Sequence, residues 1–451
     1  MSMAKDALFE KIKKQDARIC VIGLGQVGLP TALMFCKAGF DVIGHDINEK
    51  VLSSLDSKKL PFEEADLDDL LQSCIKKGKF HTTASISDAI KNSDVIIVCV
   101  STPLTDDVMP DLSALENVCS SLSEFSLKDK LVIIESSIPP GTFSGLVLPL
   151  LEKKNRHGLD FWSAYVPERL APGQALSEIQ TTPRVIGHVD KESATLAKAL
   201  YEKIVKSQIL LTTVQTAEIS KLVENTFRDV NVAFANEMSL ICERYGIDVA
   251  ELIKVCNSHP RVKLLQPGPG VGGPCLPKDP YLLLNPQGSR ASIDSRIILD
   301  SRKINDNMPY HVASLLIDAL KIQNKKTAES TVLVLGVAYK ANVSDTRFSP
   351  SKEIISQLIK NGCKVLVFDP KTKETFGGQA VEDISNVISS CDAIIIVTDH
   401  AEFKKLELKQ LQKMKNKPIL IDTRRIFQRN EVEDLGIQYL SVGYTINLKH
   451  K

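Results

Sequence analysis

Charge of one sign is what this chain lacks most plainly: 56 basic residues stand against 55 acidic in 451, leaving a net charge of +1. No broad field remains to attract nucleic acid or an anionic membrane, so any basic site is local. A long apolar run is also missing. None approaches the roughly 20 residues that span a bilayer, and the charged stretch Met1 to Arg18 has no apolar core of a secretory signal. The expectation is a cytoplasmic protein that engages neither membrane nor nucleic acid. Ten cysteines show no CxxC spacing and eight histidines no HxxxH pair, which argues against a disulfide framework and a zinc site; no metal is expected. Length, finally, excludes one ordinary core and implies roughly two to four domains.

What is present begins with a strand-like run, Ile19-Cys20-Val21-Ile22, that enters Gly23-Leu24-Gly25-Gln26-Val27-Gly28 and then a helical segment, Leu29 to Ala38. Gly23 permits the tight turn, Gly25 lets backbone approach a pyrophosphate, Gly28 allows close helix packing, and the helix N-terminus supplies oriented N–H donors. A second strand, Asp41 to His45, ends in Asp46, about twenty residues on, where a carboxylate can hold ribose hydroxyls. That acid repels a 2′-phosphate and no arginine follows closely, so NAD is favoured over NADP; Lys50, the next cation, is counted with the cofactor contacts. The same residues read without a ligand make an ordinary tight turn.

The pattern is used twice. Thr331 to Gly336, a helix from Ser351 to Asn361 and a strand ending at Asp369 repeat the order of Ala17 to Asp46, and Asp392 to Val397 corresponds to Asp94 to Val98. The second copy lacks GxGxxG, so it binds a different nucleotide or binds one differently. Between the copies, Ile219, Leu222, Val223, Phe227, Val230, Phe234, Met238 and Ile241 fall at helical spacing within Thr216 to Tyr245, which Gly246 terminates. The expected class is α/β: two doubly wound Rossmann-like domains, 1–212 and 326–451, joined by a long central helix and helical region, 213–325. The apolar stripe of that helix suits a spacer, a hinge or a dimer surface.

Five further stretches carry candidate chemistry. Cys275 follows Gly268-Pro269-Gly270-Val271-Gly272-Gly273-Pro274 and precedes Leu276-Pro277-Lys278-Asp279, a loop that presents one thiol, whereas Cys20, Cys36, Cys99 and Cys242 read as core fillers. Ser101-Thr102-Pro103 and Glu135-Ser136-Ser137 lie at strand ends, where hydroxyls line a nicotinamide or cap a following helix. Glu168-Arg169 sits in a proline-flanked loop ending at Pro172-Gly173. Lys221 and Asn225, one helical turn apart, share a face.

Taken together, GLGQVG with Asp46, ESSIPPGT, PER, Lys221 with Asn225, GPGVGGPCLPKD and Tyr339-Lys340-Ala341-Asn342-Val343-Ser344-Asp345-Thr346-Arg347 resemble the UDP-glucose/GDP-mannose dehydrogenase family of nucleotide-sugar 6-dehydrogenases over almost the whole chain. The resemblance implies an NAD domain, a central dimer region and a C-terminal domain that binds the UDP-sugar, with two oxidations at C6. It implies that Cys275 forms a thiohemiacetal and then a thioester, that Glu168 acts as acid/base, that Asp279 assists proton transfer through water, and that Lys221 and Asn225 stabilise an oxyanion. It assigns Gly268, Gly270, Gly272, Gly273, Tyr339, Lys340 and Arg169 to the substrate. Arg261 joins them from a neighbouring subunit of a homodimer, and Arg347 lies near the cofactor.

Arg169, Pro172 and PGVGG are more similar to the N-acetylhexosamine branch, with UDP-N-acetylmannosamine ahead of UDP-N-acetylglucosamine. Pro274 stands where that branch commonly has histidine, and Lys278 is more typical of the glucose branch, which keeps UDP-glucose as an alternative. Two other classes fit the sequence less well. A β-hydroxyacid dehydrogenase has no use for Cys275 or the last α/β domain, and a non-enzymatic nucleotide sensor has none for the thiol, lysine and acids.

Overall fold

The computed structural model describes residues 2–64, 66–289, 293–415 and 418–444. The chain divides into two compact units, Met1–Glu224 with Lys278–Asp294, and Asn225–Pro277 with Ser295–Lys451.

The first unit is built on eight strands: β1 (Arg18–Ile22), β2 (Asp41–His45), β3 (Phe80–Thr83), β4 (Val95–Val98), β5 (Lys130–Ile134), β6 (Phe161–Tyr165), β7 (Arg184–His188) and β8 (Ile209–Thr213), in the order β3-β2-β1-β4-β5-β6-β7-β8. Strand residues alternate between two cores, Ile19 and Val21 packing on one face and Cys20 and Ile22 on the other, which is why these strands read as continuous apolar runs. The winding direction changes between β1 and β4, and ligands of such sheets bind at the carboxyl ends beside that change.

One departure from the expected parallel sheet is the reversal of β7, which pairs antiparallel with β6 through Tyr165↔Gly187. The reversal places the start of β7, with the buried Arg184, at the end of the sheet where β6 finishes. The opening segment, expected only to be charged, forms the helix Ser2–Lys14 and buries Leu8 and Ile12 in the first core. The dinucleotide-turn helix runs Gly28–Lys37.

The second unit carries β9 (Thr331–Leu335), β10 (Lys364–Phe368), β11 (Gln379–Ala380), β12 (Ala393–Ile396), β13 (Ile419–Asp422) and β14 (Gln438–Leu440), all parallel, in the order β11-β10-β9-β12-β13-β14. Its winding changes between β9 and β12, the counterpart of β1 and β4. The expected helix is present as Pro350–Lys360.

The long helix runs Val214–Tyr245 and ends at Gly246, whose φ of +70° is the left-handed geometry that stops a helix. Within the second unit it is tied to the helix Arg296–Ile322 by buried polar groups rather than by apolar packing alone. Arg302 donates to Asp229 at 2.5 Å and also pairs with Asp306, Asn305 donates to Asp229 at 2.9 Å, and Asn236 donates to Asn305 at 2.9 Å. Burial pushes the Asp229 carboxyl up, against the pull of Arg302.

Removing one member of a buried pair strands the other. Arg302→Met should therefore cost about 3 kcal/mol or more, seen in a thermal melt as a transition lowered by several degrees, and adding Asp229→Asn should recover part of that loss. An unchanged melt for Arg302→Met would show that the pair contributes nothing.

Candidate active site

At the carboxyl end of β1 the glycines divide their work. A Cβ on Gly23 would stand 2.7 Å from the Cys99 carbonyl oxygen, and one on Gly28 would stand 1.8 Å from the Gly23 carbonyl oxygen, so both serve close packing; a Cβ on Gly25 meets nothing within 4 Å. Gly25 is thus spared for an approach from outside, as a pyrophosphate requires. Asp46 accepts from the Leu24 N–H at 2.7 Å and from the Asn48 N–H at 2.8 Å, which ties the end of β2 to the turn. Gln26 and Val27 complete the turn. Lys50 lies in the first turn of the helix Glu49–Asp56, and its N–H is capped by Asn48. These residues fit a dinucleotide: an open glycine, a helix N-terminus and an acid at the ribose position.

The hydroxyls beyond β4 and β5 are less available than their positions suggested. Thr102 Oγ1 donates to the Ser137 carbonyl at 2.5 Å and Ser136 Oγ to the Val100 carbonyl at 2.7 Å, lacing the two loops together, while Ser101 and Pro103 are exposed. Lys278 Nζ donates to the Thr102 carbonyl at 2.9 Å and stands 3.8 Å from Asp279, which is fully buried. Cys99, expected as a core filler, is partly buried, packs against the first core and donates to Glu135 at 3.3 Å. Burial, then the neighbouring Glu135, pushes its thiol well up, which disfavours the nucleophilic thiolate.

Two buried carboxylates organise these loops. Glu135 also accepts from Tyr201 at 2.5 Å. Glu218, on the long helix, accepts from the Gly141 N–H at 2.7 Å and the Phe143 N–H at 2.8 Å, clamping the turn after β5.

Glu168 is 7% exposed, accepts from the Leu170 N–H, and lies 3.7 Å from Lys221 Nζ. Burial raises its carboxyl above the ordinary glutamate range, with Lys221 and Arg184 opposing that rise and Glu135 and Asp279 adding to it. Arg169, next in the chain, is committed elsewhere: its Nε donates to Glu224 at 3.0 Å and its Nη1 to the Pro183 carbonyl at 2.8 Å. A substrate contact by Arg169 would have to compete with that pair.

In the second unit the glycine loop packs on the segment after β9. A Cβ on Gly272 would meet the Phe348 carbonyl oxygen at 2.7 Å, one on Gly273 the Tyr339 ring at 2.7 Å, and one on Gly270 the Pro309 and Pro350 rings at 3.2 Å. The Gly273 N–H donates to the Arg347 carbonyl at 2.9 Å and the Gly268 N–H to Asn236 Oδ1 at 2.9 Å. The half-buried Cys275 therefore follows a loop pinned at both ends. Tyr339 is pushed up to about 12 by burial first, then by Asp345 and Cys275. Arg347 pairs with Asp345 at 2.6 Å. Asn225 is buried; Lys340 and Arg261 are exposed.

Arg424, not singled out from the sequence, stands at the carboxyl end of β13, donates from Nε to the Val397 carbonyl at 2.8 Å, and has its Nη1 3.0 Å from where a Cβ of Gly268 would be. Among the described residues no group of three or more His, Cys, Asp or Glu could hold a metal, and no helix is long and apolar enough to cross a membrane.

Two doubly wound sheets, parallel but for the β6–β7 pair, with a dinucleotide turn in the first unit and a glycine-held thiol in the second, define an α/β dehydrogenase with a second nucleotide domain. Comparison with known proteins makes this specific. The NAD-binding, central and UDP-binding domains of the UDP-glucose/GDP-mannose dehydrogenase family match residues 17–205, 215–307 and 333–429, and the chain belongs to that family of NAD-dependent nucleotide-sugar dehydrogenases. A UDP-N-acetyl-D-mannosamine dehydrogenase of Pyrococcus horikoshii is 44% identical over 429 residues, 94% of this chain and 99% of that one. The solved structure of UDP-D-ManNAc dehydrogenase from the same organism superimposes with a TM-score of 0.88 at 41% identity, covering 94% of this chain and 99% of its own. A UDP-N-acetyl-mannosamine dehydrogenase of Staphylococcus aureus gives 0.84 at 33% identity, over 96% and 100%.

The two glycine roles separate experimentally. Gly25→Ala should leave the melting temperature of ligand-free protein unchanged while weakening NAD at least about tenfold, because its methyl enters only the space a pyrophosphate approaches. Gly28→Ala should lower the melting temperature itself. Unaltered NAD affinity in Gly25→Ala, by calorimetry, would remove Gly25 from the cofactor site.

Proposed function

We propose that this chain oxidises the C6 hydroxyl of UDP-N-acetyl-D-mannosamine to the carboxylate of UDP-N-acetyl-D-mannosaminuronate, a four-electron reaction with NAD. The observation that carries the chemistry is Glu168: a carboxylate buried beside the Lys221 ammonium and raised by that burial above the ordinary glutamate range is placed to exchange a proton with water. When bound, NAD supplies the hydride acceptor for both oxidations. Asp46 and the turn Gly23, Leu24, Gly25, Gln26, Val27 and Gly28 hold it, with Lys50, Ser101, Thr102, Pro103, Ser136, Ser137 and Arg347 as further contacts.

In this reading Cys275 adds to the first aldehyde to give a thiohemiacetal, which can lose a second hydride and become a thioester; water then releases the carboxylate and returns the thiol. Glu168 takes the proton from that water, with Asp279 relaying protons, and Lys221 and Asn225 stabilise the oxyanion by charge and by a fixed amide donor. Gly268, Gly270, Gly272, Gly273, Tyr339, Lys340, Arg169 and a partner subunit's Arg261 hold the UDP-sugar, and Arg424 adds a guanidinium suited to its phosphates. The choice of sugar rests on relatives that carry the UDP-N-acetyl-D-mannosamine dehydrogenase name across 36–44% identity.

The division into an NAD domain (1–212), a central region (213–325) and a UDP-sugar domain (326–451) accords with the matched ranges. A homodimer is supported by Phe227, Phe234 and Ile241, exposed along the long helix. A cytoplasmic place accords with NAD and a nucleotide-sugar as reactants.

Wild type should form two NADH per sugar, and NAD should exceed NADP in kcat/KM with the same substrate. Cys275→Ala should make no acid, with residual turnover ending at the aldehyde; acid formed at a normal rate would rule the thioester out. Glu168→Gln should accumulate acyl-enzyme visible by mass spectrometry. It should also lose the acidic limb of the wild-type hydrolysis profile, a limb lying above the ordinary glutamate range because burial raises this carboxyl.

A substrate panel should favour acetamido sugars strongly, since a site built to hydrogen-bond an acetamide is left with unpaired groups when it is missing. A preference for UDP-glucose would overturn the choice of sugar while leaving the two-step chemistry standing.

A further inference from the structure

His400 is fully buried at the carboxyl end of β12, across the winding change from β9, and both of its ring nitrogens are engaged. The Asn342 N–H donates to Nδ1 at 3.0 Å, so Nδ1 carries a lone pair and the ring proton sits on Nε2, 3.1 Å from Asp369 Oδ2. The next residue closes the link in reverse: the Ala401 N–H donates to Asn342 Oδ1 at 3.0 Å. Asn342 reaches this position through a φ of +62°, a left-handed conformation that asparagine tolerates better than most residues. One histidine thus joins the middle of the loop after β9, which carries Tyr339 and Lys340, to the carboxylate at the end of β10.

Asp369 does not need His400 for its own place. It accepts from the N–H groups of Val337 at 2.7 Å, Ala338 at 3.0 Å and Lys371 at 2.8 Å, and its side chain is fully buried. Those bonds hold only the root of the loop. Past Ala338 the loop turns outward, and beyond the Tyr339 N–H to Asp345 carbonyl bond at 3.0 Å, Asn342 is where it is laced to β12.

We infer that His400 is a positioning residue that latches the Tyr339–Asp345 loop in the form that receives the nucleotide-sugar. The inference rests on the reading of Tyr339 and Lys340 as substrate contacts. Its chemistry lies in one lone pair, that of Nδ1 on the Asn342 N–H; the ring's bulk and the Asp369 bond are secondary. Two substitutions separate these parts. His400→Asn keeps an acceptor at the Nδ1 position and gives up Asp369; His400→Gln reaches toward Asp369 but leaves the Asn342 N–H without its acceptor.

The test is calorimetric titration of the full-length protein with UDP, and separately with NAD, alongside KM and kcat for the UDP-sugar. His400→Gln should weaken UDP and raise the sugar KM by about tenfold, as follows if the competent loop falls to about a tenth of the population, with NAD affinity unchanged and kcat at saturation nearly retained. His400→Asn should stay close to wild type. Equal UDP affinity in His400→Gln and wild type would overturn the latch, and so would parallel losses of UDP and NAD in both variants, which would mark a packing role alone. A wild-type protein that binds no UDP would instead overturn the substrate-domain reading beneath it.

Discussion

There is no room for a single added carbon at residue 28. A Cβ there would stand 1.8 Å from the Gly23 carbonyl oxygen and 3.1 Å from the Cys99 side chain, so helix Gly28–Lys37, the end of β1 and the end of β4 meet with nothing between them. Everything at the carboxyl edge of the first sheet is placed from this contact, because each strand is registered against its neighbour: β4 on β1, β5 on β4, β6 on β5. Thr31 of the same helix and Cys99 both reach Glu135 at the end of β5, and Tyr201 closes the group from the far side. A buried carboxylate with three donors is costly to disturb, so the close approach at Gly28 extends as a rigid polar support beneath the loops that carry Ser136, Ser137 and Glu168.

The two sheets share a winding order and use the acid at the end of the second strand differently. Asp46 gives one oxygen to Leu24 and the other to Asn48, and its site remains partly open, as suits a group that also meets ribose hydroxyls. Asp369, in the same place after β10, is sealed by four N–H groups and His400. Burial alone would raise it, but the His400 bond and the backbone donors outweigh that and hold its carboxyl below the ordinary range. A carboxylate so saturated has no acceptor left for a ribose. In the proposed reading the second sheet meets its nucleotide through loops rather than through the strand-end acid, in keeping with the missing GxGxxG.

Local pattern made most of the architecture legible. The turn at Gly23, the repeat at Thr331 and the long helix with its stop at Gly246 are all written in neighbouring residues, and the structure places the helix at Val214–Tyr245 against an expected Thr216–Tyr245. What stayed hidden depends on partners far along the chain. Nothing local distinguishes Glu218 from a surface glutamate until Gly141 and Phe143, more than seventy residues earlier, supply its N–H donors. Ser136 and Thr102 have the right types and places for a ligand, yet their hydroxyls hold two loops to each other. Cys275 is the opposite case: its isolation in a glycine loop was visible, but a nucleophilic role came from the family resemblance, not from spacing.

The reversal of β7 was the least readable feature, and it bears directly on Glu168. A parallel β7 would have started at the amino edge of the sheet and carried Arg184 away from the ligand side; running antiparallel to β6, it starts where Glu168 stands. Around that carboxyl, Lys221 and Arg184 favour the ionised form while Glu135 and Asp279 oppose it, leaving burial as the largest influence. Burial and the two cations thus pull this carboxyl in opposite directions, and burial prevails. An acid/base residue that takes a proton from water must be able to exist in both states, and the direction of one strand is what sets Arg184 among the groups acting on the residue proposed for that role.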